Sequence, residues 1–428
     1  MSTGKLIQRI FLVALLLTSA WTAVSQIRIA SPYSRFGIGD ISDNNNCWNL
    51  SMGQVSYAIR SPYHINYSNP ASYSAFDSSS FVFEGGFNSE FVTLTSSFQT
   101  VDRNYASLGY LLFGMPVTRW WRISLGLVPY SDVGFNVVNY EEYTSVGTVI
   151  RLYTGAGGIN RFYWGNSFRI VKNLSIGFNA NYLFGRMSRE ATVLFPDSIH
   201  SSNFKVINDI TMNDVNIDIG IQYRFRLKKD FYMTVAGVFA NSNLMHAQTD
   251  LLAYTFLMGA SGIEYPRDTI AKAEGYPGDI VIPLMFGGGV CFEQADKFMV
   301  GVDYKWQNWK QLKAFGEGDS LLNSWEISAG AEIVPNINNY TNYFSRVRYR
   351  VGFFYNQTYL QLRGKQLAEY AFTLGFGFPL RGIKTALNVG AQVGVRGTTE
   401  LNLIRESYFK FTLGFSIYER WFIKRKYY

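Results

Sequence analysis

Cysteine and histidine are almost missing from this chain, at two and three residues among 428. Two thiols cannot build a disulfide scaffold or a multi-cysteine metal site, and three imidazoles leave little for a histidine-rich one. Proline is scarce at 11 residues, and charged side chains make up 16%, against the ~25% of ordinary soluble domains. Low charge combined with 47% apolar content excludes a disordered chain. The net charge of +8 is spread thinly, which argues against nucleic acid as a partner. Beyond residue 25 no stretch of about 18 apolar residues occurs, so no transmembrane helix is expected. No glycine-rich loop ends in Gly-Lys-Ser/Thr. His64, His200 and His246 do not sit on a strand beside a serine with an orienting carboxylate. Neither a catalytic residue nor a metal or other cofactor is therefore expected, and the chain does not read as an enzyme.

What the chain has in excess is aromatic residues, at 17%, and glycine, at 39 residues. It opens with Lys5 and Arg9, an unbroken apolar core from Ile10 to Leu17, and the small residues Ala23-Val24-Ser25. This is the pattern of a secretory signal peptide, residues 1–25, with cleavage before Gln26.

Period-two alternation dominates the remainder. Val215, Ile217, Ile219, Ile221, Tyr223, Phe225 and Leu227 interleave with Asp214, Asn216, Asp218, Gly220, Gln222, Arg224 and Arg226. The same pattern returns over 325–333, 387–396 and 409–417. A strand sends these two sets to opposite faces. Fourteen such segments are expected: 79–99, 104–116, 120–129, 157–170, 173–185, 213–227, 230–241, 280–293, 297–307, 321–334, 345–356, 368–379, 384–396 and 407–419. Most connections alternate between short and long. That asymmetry, with strands of about ten or more residues, marks a transmembrane antiparallel β-barrel. The fold class is thus all-β, a barrel over residues 79–428 in the bacterial outer membrane, with membrane lipid around it. Basic residues gather at the ends expected to face the periplasm, among them Arg119, Arg169, Lys172, Lys228 and Lys229. Such residues solubilise turns beside anionic head groups, or form a docking face for an acidic partner.

Residues 26–78 lack long alternation and are expected to form an N-terminal hatch or plug. They contain the run Ser31-Pro32-Tyr33-Ser34-Arg35-Phe36-Gly37-Ile38-Gly39-Asp40 and the triplet Asn69-Pro70-Ala71. The segment 242–279 carries Leu251, Leu252, Phe256, Leu257 and Met258, an apolar set that serves either as a capture groove or as a helical lid. The third strand carries Pro129, which has no N–H for a sheet ladder, with Gly134 beyond it. Cys47 and Cys291 are expected as two buried free thiols, with a disulfide between hatch and barrel as the alternative.

This pattern resembles the FadL/TodX family of outer-membrane transporters of hydrophobic compounds. The likeness rests on the fourteen strands, the Asn69-Pro70-Ala71 triplet, and the run Phe298-Met299-Val300-Gly301-Val302-Asp303-Tyr304-Lys305-Trp306-Gln307-Asn308-Trp309. It rests also on Ile282-Pro283 followed by Phe286-Gly287-Gly288-Gly289-Val290. The resemblance implies uptake of long-chain fatty acids or aromatics. The ligand would be captured at outer loops by Leu251, Leu252, Phe256, Leu257 and Met258, held above a hatch at Asn69, Pro70 and Ala71, and released sideways at a gate formed by Pro129 and Gly134. The run Ser31–Asp40 departs from the family's transporters and points to a divergent branch. The alternative is a non-transporting scaffold subunit of a secretion or barrel-assembly complex, with other envelope proteins as its partners.

Overall fold

A computed structural model describes residues 30–197, 201–259, 261–313, 315, 321–339, 341–381 and 385–420. The signal peptide lies outside the described residues. Seventeen strands form one sheet. They are β1 (Asp40–Ile41), β2 (Ser80–Thr95), β3 (Thr100–Pro116), β4 (Trp121–Tyr143), β5 (Gly147–Arg169), β6 (Leu174–Leu194), β7 (Asn203–Lys228), β8 (Phe231–Ala240) and β9 (Asn243–Met258). They continue with β10 (Glu264–Ile282), β11 (Met285–Gln294), β12 (Phe298–Gln307), β13 (Ser324–Ile333), β14 (Arg348–Leu362), β15 (Lys365–Arg381), β16 (Thr385–Gly397) and β17 (Arg405–Arg420).

Fourteen of these, β2–β8 and β11–β17, make the closed antiparallel wall. Closure is by β17 on β2, in register from Arg405↔Thr95 to Arg420↔Ser80. Closure removes the free edges that would otherwise strand backbone N–H and C=O groups in lipid. The alternating residues behave as their pattern requires. Val215, Ile217, Ile219 and Ile221 are about half exposed on the outer face, whereas Asn216 and Gln222 are buried inside. Phe372, Leu374, Val300 and Val302 extend the same apolar outer band.

The strands reach further than the alternation suggested. β4 runs to Tyr143 and β5 begins at Gly147, so most of 130–156 is hairpin rather than loop. Likewise β6 and β7 occupy most of 186–212. Above the bilayer neither face has to be uniformly apolar, so backbone pairing continues after the period-two signal has faded. The segment 242–279 is neither an irregular loop nor a helical lid. It forms the hairpin β9–β10, and β9 pairs along the upper part of β7. The β14–β15 connection shrinks to a tight turn at Arg363 and Gly364, both at positive φ.

Candidate functional site

Residues of the N-terminal segment lie against inward-facing positions of the wall. Between Cys47 and Phe76 the chain follows the inner wall, and glycines on successive strands let it lie close. A Cβ placed on Gly330 would stand 2.0 Å from the Met52 carbonyl oxygen, and one on Gly352 would stand 2.1 Å from the Gly53 nitrogen. On the next strands, a Cβ at Gly375 would meet Ser51 at 2.3 Å, and one at Gly414 would meet Cys47 at 2.7 Å. Across the barrel the same holds for Gly220 against Asn69 and Gly177 against Pro70. Strands that face a water-filled pore have no need of such clearance; these approach a backbone.

Polar anchors fix the path. Asn46 caps the one-turn helix Cys47–Leu50, and its amide reaches Glu84 at 3.1 Å. Glu84 also holds His64 at 2.7 Å, and the Trp48 ring packs against that imidazole at a tilt of 45°. The Trp48 indole N–H donates to Glu332 at 2.8 Å, and the same carboxylate accepts from Arg350 at 2.7 Å and Arg348 at 2.9 Å. Asp303 accepts the backbone N–H groups of Ser56 and Tyr57 at 2.6 and 2.8 Å. Buried charges are tolerable when paired and hydrogen-bonded in this way.

The triplet Asn69-Pro70-Ala71 sits at the start of a 3-10 turn, Pro70–Ala75. The Asn69 side chain accepts from the Ala71 N–H at 3.0 Å and donates to the Tyr57 carbonyl at 2.8 Å. Proline is suited to this first helical position because its missing N–H is not needed there. All three residues are buried against β6 and β7.

Among the described residues, pairing between neighbouring wall strands stops short at a seam between β3 and β4. β3 and β4 pair only from Leu111↔Leu127 to Pro116↔Arg122. Above that point β4 continues on β5, with a register shift between Pro129 and Ser131. Pro129 offers no N–H to the ladder, so the β3–β4 zipper stops beside it. Short β1 takes β3's place for two residues, pairing Asp40 with Asp132 and Ile41 with Ser131. Gly134 lies two residues beyond that pairing. Its N–H donates to the Ser34 hydroxyl at 3.0 Å, and its carbonyl accepts from the same hydroxyl.

The run Ser31–Asp40 therefore crosses the interior as a brace. Ser31 bonds Glu406 at 2.6 Å, the Tyr33 hydroxyl donates to the Ile404 carbonyl, and Asp40 pairs with Arg396 at 2.6 Å. At its other end Ser34 and β1 hold β4. Behind the seam is a cavity of about 140 Å³. It is lined by six carboxylates, Asp40, Asp43, Glu90, Asp132, Glu369 and Glu406, and by two cations, Arg396 and Lys410.

The outer half of the interior is apolar instead. Tyr33 and Ile38 pack with Val133, Ile159, Met212, Met245, Trp309 and Leu360 in one buried cluster. Of the apolar set on β9, Phe256 is fully buried, Leu251 and Leu252 are half-buried, and Leu257 and Met258 are exposed. The five residues thus differ widely in exposure. Cys47 and Cys291 are both free and buried. Burial pushes the Cys47 thiol up to about 12.

At the end of the barrel that carries the short turns a second cavity of about 420 Å³ opens, lined by Arg60, Arg169, Lys172, Arg224, Lys297 and Arg348 among others. Burial pushes the Arg60 guanidinium down to about 10, and the neighbouring Arg224 and Arg169 add to the shift. Arg60 is nonetheless tied to Ser74 and Ser175 at 2.9 and 3.1 Å.

Sequence reasoning passed over Glu90, Glu369, Arg396 and Glu406. Each lies at an inward position on its strand, which the alternation does record. No sequence signal brings β2 beside β17, because that contact exists only once the barrel closes.

These features define the class: an outer-membrane β-barrel of the FadL-like fold, on a divergent branch. A FadL homologue from Pseudomonas aeruginosa matches with TM-score 0.55 at 12% identity, covering 90% of this chain and 100% of that one. The Pseudomonas putida toluene transporter TodX matches with TM-score 0.57 at 15% identity, covering 90% and 100%. The Ralstonia pickettii toluene transporter TbuX matches with TM-score 0.57 at 12% identity, covering 89% and 99%. At such identities the likeness is one of fold. No curated protein matches the chain by sequence. The family model that does match is BamG, over residues 6–428, and the chain belongs to that family.

Proposed function

We propose that this protein is a barrel subunit of an outer-membrane assembly complex, built on a transporter's fold and carrying no ligand through itself. The observation that carries this reading is the chemistry of the cavity behind the seam. An apolar molecule there would displace water from six carboxylates and two cations, and stripping solvent from charge is costly. The family name BamG points the same way, toward barrel assembly. So does the use of the interior. Residues 31–76 tie to the wall through the ion pairs of Asp40 with Arg396 and Asp43 with Lys410, through buried hydrogen bonds and through glycine contacts, which suits a rigid support.

The seam beside Pro129 favours a second reading, uptake of a hydrophobic compound such as a fatty acid or an aromatic. Pro129 and Gly134 would then form the lateral gate, Asn69, Pro70 and Ala71 the hatch, and Leu251, Leu252, Phe256, Leu257 and Met258 the capture residues.

The two readings separate on purification of the tagged protein in mild detergent, with mass spectrometry of both proteins and extracted lipids. Stoichiometric envelope partners without a bound apolar molecule are expected. Recovery of the barrel alone with such a molecule, lost on replacing Leu251, Phe256 and Leu257 by Ser, would overturn the assembly reading.

A further inference from the structure

The seam leaves one strand with an unused edge. Among the described residues, Val101–Gly109 of β3 pair with β2 on one side and with no strand on the other. At about 3.3 Å per residue this is roughly 30 Å of edge. Every second residue there turns its N–H and C=O toward the open side. Acyl chains cannot satisfy such groups. The side chains beside the edge are also poorly suited to lipid, since Asp102, Arg103 and Asn104 are all exposed. Opposite, β4 shows that the seam accepts strand pairing, but β1 fills it for only two residues. Directly behind lies the cavity in which six carboxylates face two cations. Arg396 already serves Asp40, and Lys410 serves Asp43 at 3.1 Å. Carboxylates in the pocket thus outnumber cations six to two.

We propose that an extended segment of a partner protein docks on β3 by strand addition along Val101–Gly109, and that a lysine or arginine of that segment reaches into the acid-lined cavity. This rests on the assembly reading above and names the surface it would use. Main-chain hydrogen bonds would supply affinity, and the single cation would set register and specificity. A fatty ligand fits neither feature, because it brings no hydrogen-bond donors and no positive charge.

The test uses the full chain, purified alone and in the complex isolated in mild detergent. Amide hydrogen exchange across Val101–Gly109 is expected to slow by at least about tenfold in the complex relative to the lone barrel. A photo-crosslinking amino acid at position 104 is expected to capture one peptide of one subunit, and that peptide contains Lys or Arg. Moving the probe to position 106 is expected to shift the captured site by two residues, the signature of strand pairing. Failure to isolate any complex would remove the assembly reading and this proposal with it. A complex in which Val101–Gly109 exchanges as in the lone barrel would overturn the proposal alone. So would crosslinks only to lipid or to this chain, or a captured peptide without a basic residue.

Discussion

Replacing Gly352 by Ala tests whether the glycine wall holds the interior chain in place. The new Cβ would stand 2.1 Å from the Gly53 nitrogen and 2.2 Å from the Met52 carbonyl carbon. Both neighbours are backbone, so no side-chain rotation can relieve the clash. The segment must move away by more than about 1 Å to restore ordinary contact. Gly53 is already at positive φ, 65°, and its N–H donates to the Thr373 hydroxyl at 2.8 Å. Overpacking costs about 1–3 kcal/mol, and losing that hydrogen bond adds about 0.5–1.5 kcal/mol. A total near 2–4 kcal/mol corresponds to local opening that is roughly 30- to 1,000-fold more frequent. Amide exchange of peptides covering residues 47–57, measured in detergent, reads this directly. Gly288→Ala is the internal control, because its Cβ would meet only the Ala236 carbonyl oxygen, at 3.6 Å. Unchanged exchange in G352A, or equal acceleration in G288A, would refute the reasoning.

Glu332→Leu should destabilise the protein by about 3–5 kcal/mol, since it leaves Arg350 buried without its carboxylate and frees the Trp48 indole; chemical denaturation followed by tryptophan fluorescence measures it. The hydrogen bond that the His246 imidazole donates to the Asp214 carboxylate, at 2.8 Å, raises the imidazole above its usual value. The folded state therefore prefers the protonated ring. That stabilisation of the β9–β10 hairpin is present below the ordinary imidazole value and disappears as pH rises through the raised one. NMR titration should show His246 titrating at lower pH in D214N. The Cys47 thiol, raised to about 12 by burial, should resist maleimide at neutral pH until the chain is denatured, whereas rapid labelling of the native barrel would contradict its burial.

Much of the architecture was written in residue neighbours. Val215 to Leu227 needed only their alternation to declare which face meets lipid, because a strand's period of two is local geometry. The fourteen wall strands follow from the same rule, repeated. The rule failed where its cause failed. Beyond the bilayer, at 130–156 and 186–212, no lipid selects one apolar face, and the pattern gave no warning of paired strand. In 242–279 the apolar residues are dense without clean alternation, so β9 and β10 were not legible there.

The candidate site was less visible. Pro129 stood out because proline cannot serve a ladder, and Asn69-Pro70-Ala71 because it marks a turn. The glycines at 330, 352, 375 and 414 look dispensable in the sequence. Only the fold shows each of them pressed against the chain between Cys47 and Gly53. Glu90 lies hundreds of residues from Glu369 and Glu406, and their shared cavity with Arg396 is a product of closure.

By itself, then, the sequence determined the β-barrel, its lipid-facing surface and its destination in the outer membrane. These depend on local periodicity, which is read along the chain. The tertiary structure alone decided that the interior is braced, that the second and third wall strands part above Pro129, and that charge collects behind the gap. Those features arise from contacts between residues far apart in sequence, and such contacts exist only after strands β2 and β17 have met.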